Sequence, residues 1–338
     1  MEHEPIPRRQ REMSNQLEVS NPKTSSTWWR KFTEFFLVRL LVALLMINIP
    51  AFGLMSIYKW LGSILPFWNT FPLHFLRILI MILLLHGMYI LYVRNFERRK
   101  PRELDSKGVW KEIGWGLLIG TGIIAVTHGC LVLFGYYHIV SMNTWLNLGA
   151  FFLLALSSGY VEELMFRGIL FRLLEQGLGS ILALIISSLL FGFLHAVNPN
   201  ATLLSSLFIA IEAGLLLGAL YMMTRKLWTV MAVHFAWNFT LGGFWSTPVS
   251  GISQPGLFET KVDGPTLLTG GEFGIEASIL TVIVAVFLGG YFLFKAISRG
   301  RLVPAPWRRP GTVLQSEEAE RLETEGHDFS EEQDTDRN

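Results

Sequence analysis

Eight apolar runs, each long enough to cross a lipid bilayer, dominate this sequence. A transmembrane helix needs about 20 apolar residues to span ~30 Å of hydrocarbon. The runs cover residues 36–58, 72–93, 113–137, 145–170, 180–197, 203–223, 227–245 and 277–297. A backbone in lipid must satisfy its polar groups internally, so runs of this length fold as helices. The sequence therefore predicts an all-α, polytopic membrane helix bundle of about eight transmembrane helices.

The composition points to the same class of protein. Of the 338 residues, 51% are hydrophobic and 16% are charged, whereas soluble proteins carry about 25% charged residues. The net charge of +1 conceals an uneven distribution: basic residues cluster beside the apolar runs, and acidic residues crowd the end of the chain. This distribution indicates that the basic residues orient the chain in a membrane and do not bind nucleic acid. The single cysteine, Cys130, excludes an intramolecular disulfide framework and a multi-cysteine zinc site.

Basic residues flank alternate connections between the runs, as the positive-inside rule requires of cytoplasmic segments. They occur before the first run, between runs two and three, after run four, between runs six and seven, and after the last run. The other connections contain only Lys59, at the edge of the first of them, and Lys261. We therefore expect both termini on the cytoplasmic side of the membrane.

Three regions follow from these patterns. Residues 1–33 lack the apolar core and small-residue cleavage site of a signal peptide, and we interpret them as a disordered basic cytoplasmic tail. Residues 34–300 form the transmembrane helical domain, and residues 301–338, rich in carboxylates, are predicted to be a disordered acidic cytoplasmic tail. The connection 246–276 is long and rich in small residues, so a mobile connector and a lid are both open interpretations.

Adjacent carboxylates, Glu162 and Glu163, lie inside the fourth apolar run. A carboxylate in hydrocarbon is costly, so it usually faces the protein interior, finds a partner or marks a functional site. Arg167 follows Glu163 by four residues, in the favoured direction for a helical ion pair. We expect Arg167 to neutralise Glu163 and to leave Glu162 on a neighbouring face. Glu212, in the sixth run, is interpreted as a cavity residue or as a glutamate bonded to a neighbouring helix, and not as catalytic.

Two further helices carry polar residues at helical spacing. Phe191 and His195 lie on one face of the fifth run, and His234 and Asn238 on one face of the seventh. With ~1.5 Å of rise per residue, Glu162 and these polar groups lie ~12–22 Å from the predicted inner boundary, so they can meet. A carboxylate and an imidazole that hold one water as general bases, with donors for an oxyanion, predict amide hydrolysis.

Other hydrolytic chemistries have weaker support. The chain lacks a recognised serine nucleophile motif beside these groups, a paired intramembrane aspartate and a His-Glu-x-x-His zinc motif. Zinc stays an alternative, because Glu162, His195 and His234 are ligand types that zinc accepts. Otherwise no cofactor is predicted.

The polar residues also carry a resemblance to a known family. Three ordered segments are similar to the motifs of the CPBP family (Abi, CAAX protease and bacteriocin-processing), which includes the eukaryotic CAAX prenyl endoprotease. They are Glu162-Glu163-Leu-Met-Phe-Arg167, Phe191-Gly-Phe-Leu-His195 and His234-Phe-Ala-Trp-Asn238. The resemblance places the family's catalytic core at residues 145–245.

The resemblance implies a role for each matching residue. Glu162 and His195 would activate water, and His234 with Asn238 would stabilise the oxyanion. The supporting residues would be Glu163, Arg167 and Phe191. The family is described as metal-independent glutamic proteases, which implies no cofactor.

Two functional hypotheses remain. The first is an intramembrane endopeptidase, CAAX-protease-like, in a multi-pass cell membrane location, with a bacterial plasma membrane preferred over an endoplasmic reticulum. Its partners would be membrane lipids and a peptide or membrane-protein substrate, lipid-modified in the CAAX case. The second is a non-enzymatic scaffold, immunity or peptide-binding protein that uses the same polar cavity. No nucleic-acid partner is expected.

Overall fold

The computed structural model describes residues 35–308 except residues 66 and 69. The predicted basic tail, residues 1–33, and residues 309–338 of the predicted acidic tail lie outside the described residues. Within the described part of the chain the fold is a bundle of helices with one small antiparallel sheet of two strands.

The long helices are α1 (Phe36–Ile64), α2 (Phe71–Asn95), α3 (Val109–Leu133), α4 (Asn147–Leu178), α5 (Ser180–Val197), α6 (Leu203–Thr224), α7 (Leu227–Asn238) and α8 (Ile279–Ser298). The strands are β1 (Tyr137–Met142) and β2 (Phe258–Val262). Short helical turns cover Arg102–Leu104, Thr266–Thr269, Gly271–Phe273, Ile275–Ala277 and Pro306–Arg308.

Seven of these helices are long and apolar enough to cross a membrane, which confirms the predicted all-α polytopic bundle. The exception is α7, which we expected to be the seventh of about eight spans. It continues through a π-helical turn, Phe239–Phe244, but it is not among the seven. Ten of its twelve residues are buried, and it packs against α3 and α4. Because protein and not lipid surrounds it, α7 can carry polar side chains.

The connections that follow α3, α5 and α7 contact one another at one end of the bundle. We call this end the hairpin face, after its two paired strands, which lie far apart in the chain. Strand β1 follows α3, strand β2 lies between α7 and α8, and the two pair antiparallel with Tyr137 opposite Val262. The connection between α5 and α6 joins them, because Asn198 Nδ2 donates to the Ser250 carbonyl oxygen at 3.0 Å. The hairpin face therefore collects three of the four connections that were predicted to lie outside the cytoplasm, those after α3, α5 and α7.

The connections after α2, α4 and α6 meet the segment after α8 at the other end of the bundle, which we call the basic face. Lys226 Nζ donates to the Arg102 carbonyl oxygen at 3.4 Å, and Arg225 pairs with Glu175 at 2.5 Å. The backbone N–H of Ser180 donates to the carbonyl oxygen of residue 303 at 2.9 Å, so the start of the predicted acidic tail lies against α5. Alternate connections thus separate into two faces, as a chain that crosses a membrane repeatedly requires.

A cluster of buried charges closes the basic face. Arg172, near the end of α4, pairs with Glu97 at 2.5 Å, and Arg99 bonds to Glu97 at 2.6 Å and to Glu103 at 2.7 Å. Burial by itself would raise the pKa of Glu97, but the guanidinium groups of Arg172 and Arg99 outweigh it and hold that pKa below its ordinary value. The cluster therefore ties the connection after α2 to α4 through ionised groups.

Candidate active site

The two adjacent glutamates lie where α4 changes its helical geometry. The helix is α-helical from Asn147 to Glu163 and then π-helical from Leu164 to Phe171. Single π-helical turns occur often at functional sites. Glu162 and Glu163 are the last two residues of the α-helical part, where successive side chains point in different directions: Glu163 is completely buried, whereas the Glu162 side chain is 32% exposed.

Glu163 Oε1 is shared between two partners. Arg167 Nη1 lies 2.8 Å from it, which is the ion pair that the i, i+4 spacing predicts. His234 Nδ1 of α7 lies 2.8 Å from the same oxygen, a contact that the sequence analysis did not foresee. Glu163 is therefore more than a counter-ion for Arg167, because it also orients His234.

Arg167 connects this pair to α6. Its Nη2 donates to the carbonyl oxygens of Ala213 at 2.5 Å and Gly214 at 3.1 Å, within a π-helical turn of α6, Ala210–Leu215. The guanidinium also lies 4.8 Å from the centre of the Phe191 ring. One buried cation therefore links α4, α5 and α6 around the candidate site.

Glu162 faces two imidazoles across a gap. Its Oε2 lies 3.9 Å from His195 Nε2 and 4.0 Å from His234 Nε2, and it has no hydrogen-bond partner in the described part of the chain. These separations exceed a direct hydrogen bond. A water about 2.8 Å from the carboxylate and from an imidazole fits such a gap.

A backbone contact sets the tautomer of His195. Its Nδ1 lies 2.8 Å from the Phe191 carbonyl oxygen, which can only accept, so Nδ1 carries the proton. In the neutral ring Nε2 is then a free acceptor that faces Glu162. The Phe191 ring, 2% exposed, packs 4.9 Å from the His195 ring, centre to centre. The i, i+4 relation of Phe191 and His195 therefore supplies both a hydrogen bond and a packing contact.

Asn238 lies one helical turn after His234 and also lines the cavity. Its Nδ2 donates to Ser158 Oγ at 2.8 Å, which leaves its second amide N–H for another acceptor. Ser158 lies one turn before Glu162 on α4. Sequence reasoning did not select this serine, because its role depends on the distance between α4 and α7.

A glycine allows α4 and α7 to lie this close. A Cβ added at Gly159 would lie 2.8 Å from the Phe235 backbone nitrogen and 3.0 Å from the Met231 carbonyl oxygen. The two backbones are thus in contact at this point, four residues before Glu163. This approach brings His234 within hydrogen-bond distance of the Glu163 carboxylate.

The site opens into a cavity of about 360 Å³. Its walls include the predicted catalytic residues and residues of the hairpin face, namely Asn198, Val249, Ser250, Ile252 and Glu276. The connection 246–276 therefore forms a wall of the cavity. A second cavity of about 1280 Å³ lies between α1, α2 and α4, and Leu154, Ser158 and Glu162 line both.

Glu162, His195 and His234 do not fit a metal site in this arrangement. Zinc ligands lie about 2.0–2.3 Å from the ion, and their donor atoms must close around it. Among residues 35–308, without 66 and 69, no group of three or more His, Cys, Asp or Glu side chains is placed to hold a metal ion.

Two buried carboxyl groups in the cavity wall were not selected as site residues from the sequence. Glu276 lies at the end of the predicted connection 246–276, where no periodic pattern marks it. Glu212 was interpreted as a cavity residue or as a glutamate bonded to a neighbouring helix. Its carboxyl group has no hydrogen-bond partner within the described residues, and it lines the cavity, which favours the first interpretation.

Comparison with known proteins identifies one family. Residues 143–240 match the model of the type II CAAX prenyl endopeptidase Rce1-like family, a segment under a third of the chain. The match confirms the predicted resemblance to the CAAX protease family, and it covers every residue predicted to be catalytic or supporting. At the level of the family it indicates a multi-pass intramembrane endopeptidase. Neither a curated protein nor a solved structure matches the chain.

Proposed function

We propose that this protein is an intramembrane endopeptidase that cleaves a peptide bond with a water held between Glu162 and His195. The observation that carries the proposal is that Glu162 Oε2 has no hydrogen-bond partner among the described residues and lies 3.9 Å from Nε2 of His195. A carboxylate and an imidazole at this separation can share one water and accept its proton as it attacks.

The first step breaks an O–H bond of this water and forms a bond from its oxygen to the carbonyl carbon of the substrate. The proton passes to Glu162 or His195, and the carbonyl oxygen becomes an oxyanion. The same group then returns the proton to the amide nitrogen as the C–N bond breaks. The products are a carboxylic acid and an amine, with no covalent enzyme intermediate.

The oxyanion needs donors that are already in place. Asn238 has a second amide N–H available, and His234 donates from Nε2 when both ring nitrogens carry protons. Glu163 accepts from His234 Nδ1 at 2.8 Å and serves as the counter-ion of that charged ring. Donors fixed before the reaction stabilise a developing charge without reorganisation, and one of them is worth ~10²–10³-fold in rate.

The substrate reaches this site through a membrane. The second cavity is lined largely by apolar side chains of α1, α2 and α4, and Glu162 lies at its border. Such a cavity suits a peptide or membrane-protein segment with an apolar portion, and a lipid-modified chain end is one form of it. We propose a bacterial plasma membrane as the location.

The orientation of the cavity follows if both termini are cytoplasmic. The basic face then lies in the cytoplasm and the hairpin face outside it, so residues 249–252 and Glu276 form the extracytoplasmic wall of the cavity.

Cysteine labelling tests this orientation in a Cys130→Ser background. Gln254 is exposed and lines the second cavity, so a Gln254→Cys variant should react with an impermeant maleimide on intact cells. A cysteine at the exposed Lys100 of the basic face should stay unlabelled, and the reverse pattern would refute the orientation.

The decisive experiment compares Glu162→Gln with a matched control. The purified full-length protein in detergent is incubated with a library of internally quenched peptides, and cleavage is followed by fluorescence and mass spectrometry. Glu162→Gln should lower kcat at least ~100-fold, the size expected for loss of a general base. Glu272→Gln, an exposed carboxylate of the hairpin face, should leave kcat unchanged. Full turnover by a folded Glu162→Gln protein would refute the proposal.

The second candidate is a protein that binds a peptide without cleaving it. The size of the apolar cavity beside Glu162 favours this alternative. It predicts that the wild-type protein binds peptides from the library but cuts none, and that cellular function survives both Glu162→Gln and His195→Asn. Loss of cellular function in both variants, together with peptide cleavage by the wild type, would remove it.

A further inference from the structure

We propose that Glu212 and Glu276 form a subsite that takes a cationic group of the substrate, the ammonium or guanidinium group of a basic residue near the bond to be cut. The subsite lies in the same cavity as Glu162 and His195. This inference rests on the proposed peptidase function and extends it to the class of substrate.

The state of Glu212 requires an explanation. Its side chain is completely buried, and neither carboxyl oxygen has a hydrogen-bond partner in the described part of the chain. Burial of a polar group without a hydrogen bond is unfavourable, and nearly all buried polar groups in native proteins find a partner. Because Glu212 lines the cavity, a group that enters the cavity can supply the missing donor.

Arg167, the buried arginine of the site, does not fill this role. Arg167 bonds to the carbonyl oxygens of Ala213 and Gly214, directly after Glu212, and to the Glu163 carboxylate. Its guanidinium thus holds the backbone turn that carries Glu212, while the Glu212 carboxyl group has no hydrogen-bond partner within residues 35–308, without 66 and 69. Arg167 therefore positions both Glu163, beside the catalytic groups, and the turn that carries Glu212 of the subsite.

Glu276 forms the second half of the subsite. Its Oε1 accepts from Trp237 Nε1 at 2.9 Å, and its Oε2 accepts from the backbone N–H of Ser250. These bonds fix the carboxyl group in the cavity wall, where it is 4% exposed. Burial raises the pKa of Glu276, against the effect of the Ser250 and Trp237 donors. Glu212 and Glu276 also repel each other when ionised.

A cation between the two carboxyl groups would remove both penalties. It supplies the donors that Glu212 lacks, and it offsets the repulsion, which is strong where the surroundings are apolar. A metal ion fits less well, because calcium takes six to eight oxygen ligands, and the Glu276 carboxylate already accepts three hydrogen bonds, from Trp237 Nε1 and from the backbone N–H and Oγ of Ser250. An ammonium group has three donors and a guanidinium group five, which suits the acceptors that remain.

The test compares peptides that differ only in charge. Internally quenched peptides carry lysine, norleucine or glutamate at each position on either side of the cleaved bond. The wild-type protein should cleave a lysine peptide with a kcat/KM at least ~10-fold above its norleucine partner, the effect of one charge-assisted hydrogen bond. Glu212→Gln should bring this ratio close to one, and Glu272→Gln should leave it unchanged.

Glu276→Gln provides a second variant in case Glu212→Gln does not fold, and it should also reduce the ratio. Equal cleavage of lysine and norleucine peptides by the wild type would overturn the subsite and leave the peptidase proposal intact. If the wild type cleaves no peptide, the proposed function fails. Binding of the same labelled peptides to the Glu162→Gln protein then decides the subsite separately: tighter binding of lysine peptides supports it, and equal Kd values overturn it.

Discussion

The contact between α5 and α6 at Gly192 gives a sharp test of how packing positions His195. A Cβ added at Gly192 would lie 2.2 Å from the Ser206 carbonyl oxygen, 2.6 Å from Ala210 Cβ and 2.7 Å from the Ala210 nitrogen. Two of these three atoms belong to the backbone, so no side-chain rotation relieves the clash. Gly192→Ala should therefore push α5 away from α6 by ~1 Å, because close-packed interiors have no space to absorb a methyl group.

Two effects of this shift can be measured. Overpacking costs ~1–3 kcal/mol, and the higher helix propensity of alanine returns up to ~1 kcal/mol, so we expect a net loss of ~1–2 kcal/mol in the free energy of unfolding. His195 lies three residues after Gly192 and moves with the helix. A displacement of ~1 Å at a catalytic group costs ~100-fold in rate, so kcat should fall much more than stability.

The matched control is Gly122→Ala in α3, where an added Cβ meets nothing within 4 Å. It should keep full turnover and unfold at the same temperature as the wild type or slightly above it. Thermal unfolding in detergent and peptide cleavage, measured on the same preparations, provide both readouts. A Gly192→Ala protein with the Tm and kcat of the Gly122→Ala control would refute the argument from close approach.

Glu163→Gln should lower both stability and kcat, because Glu163 is the buried partner of Arg167 and of His234. Breaking a buried ion pair costs ~3–5 kcal/mol in the free energy of unfolding. A variant with normal kcat would show that His234 needs no counter-ion. The low pKa of Glu97 means that the unfolded chain binds its proton more readily than the folded chain. Its stabilising contribution is therefore complete above its ordinary pKa and lost as pH falls below it, and the Tm should drop between pH ~5 and ~3. Arg172→Met should reduce this drop, and an unchanged profile would contradict the assignment. Chelation with EDTA should leave peptide cleavage unchanged, whereas a loss of activity that zinc restores would support the zinc alternative.

Local patterns were enough to predict much of the fold. The apolar runs predicted the long helices, because the thickness of the hydrocarbon sets a minimum length for any span. The main difference is α7. Because protein surrounds this helix, its residues do not all have to be apolar. The pair of Glu163 and Arg167 was also predictable, since residues four apart on one helix are neighbours in any tertiary structure.

Contacts between helices could not be predicted in this way. The bond from Glu163 to His234 joins residues on α4 and α7, and it depends on the close approach at Gly159. The bond that sets the His195 tautomer lies within α5, but its meaning depends on Glu162 from α4. The role of connection 246–276 as a cavity wall likewise depends on the position of Glu276 beside Trp237, for which the spacing of residues along the chain provides no signal.

The sequence by itself determined which residues can bear chemistry, the helices that carry them and their order in the chain. These properties depend on local spacing and on the cost of placing charge in lipid. Only the tertiary structure decided that Glu163 binds two partners and that Glu162 faces two imidazoles across a gap wide enough for water. It also decided that Glu212 lines the cavity without a hydrogen-bond partner in the part of the chain that the structure describes. The physical reason is that hydrogen bonds act over about 3 Å, and only the packing of helix against helix sets distances on that scale.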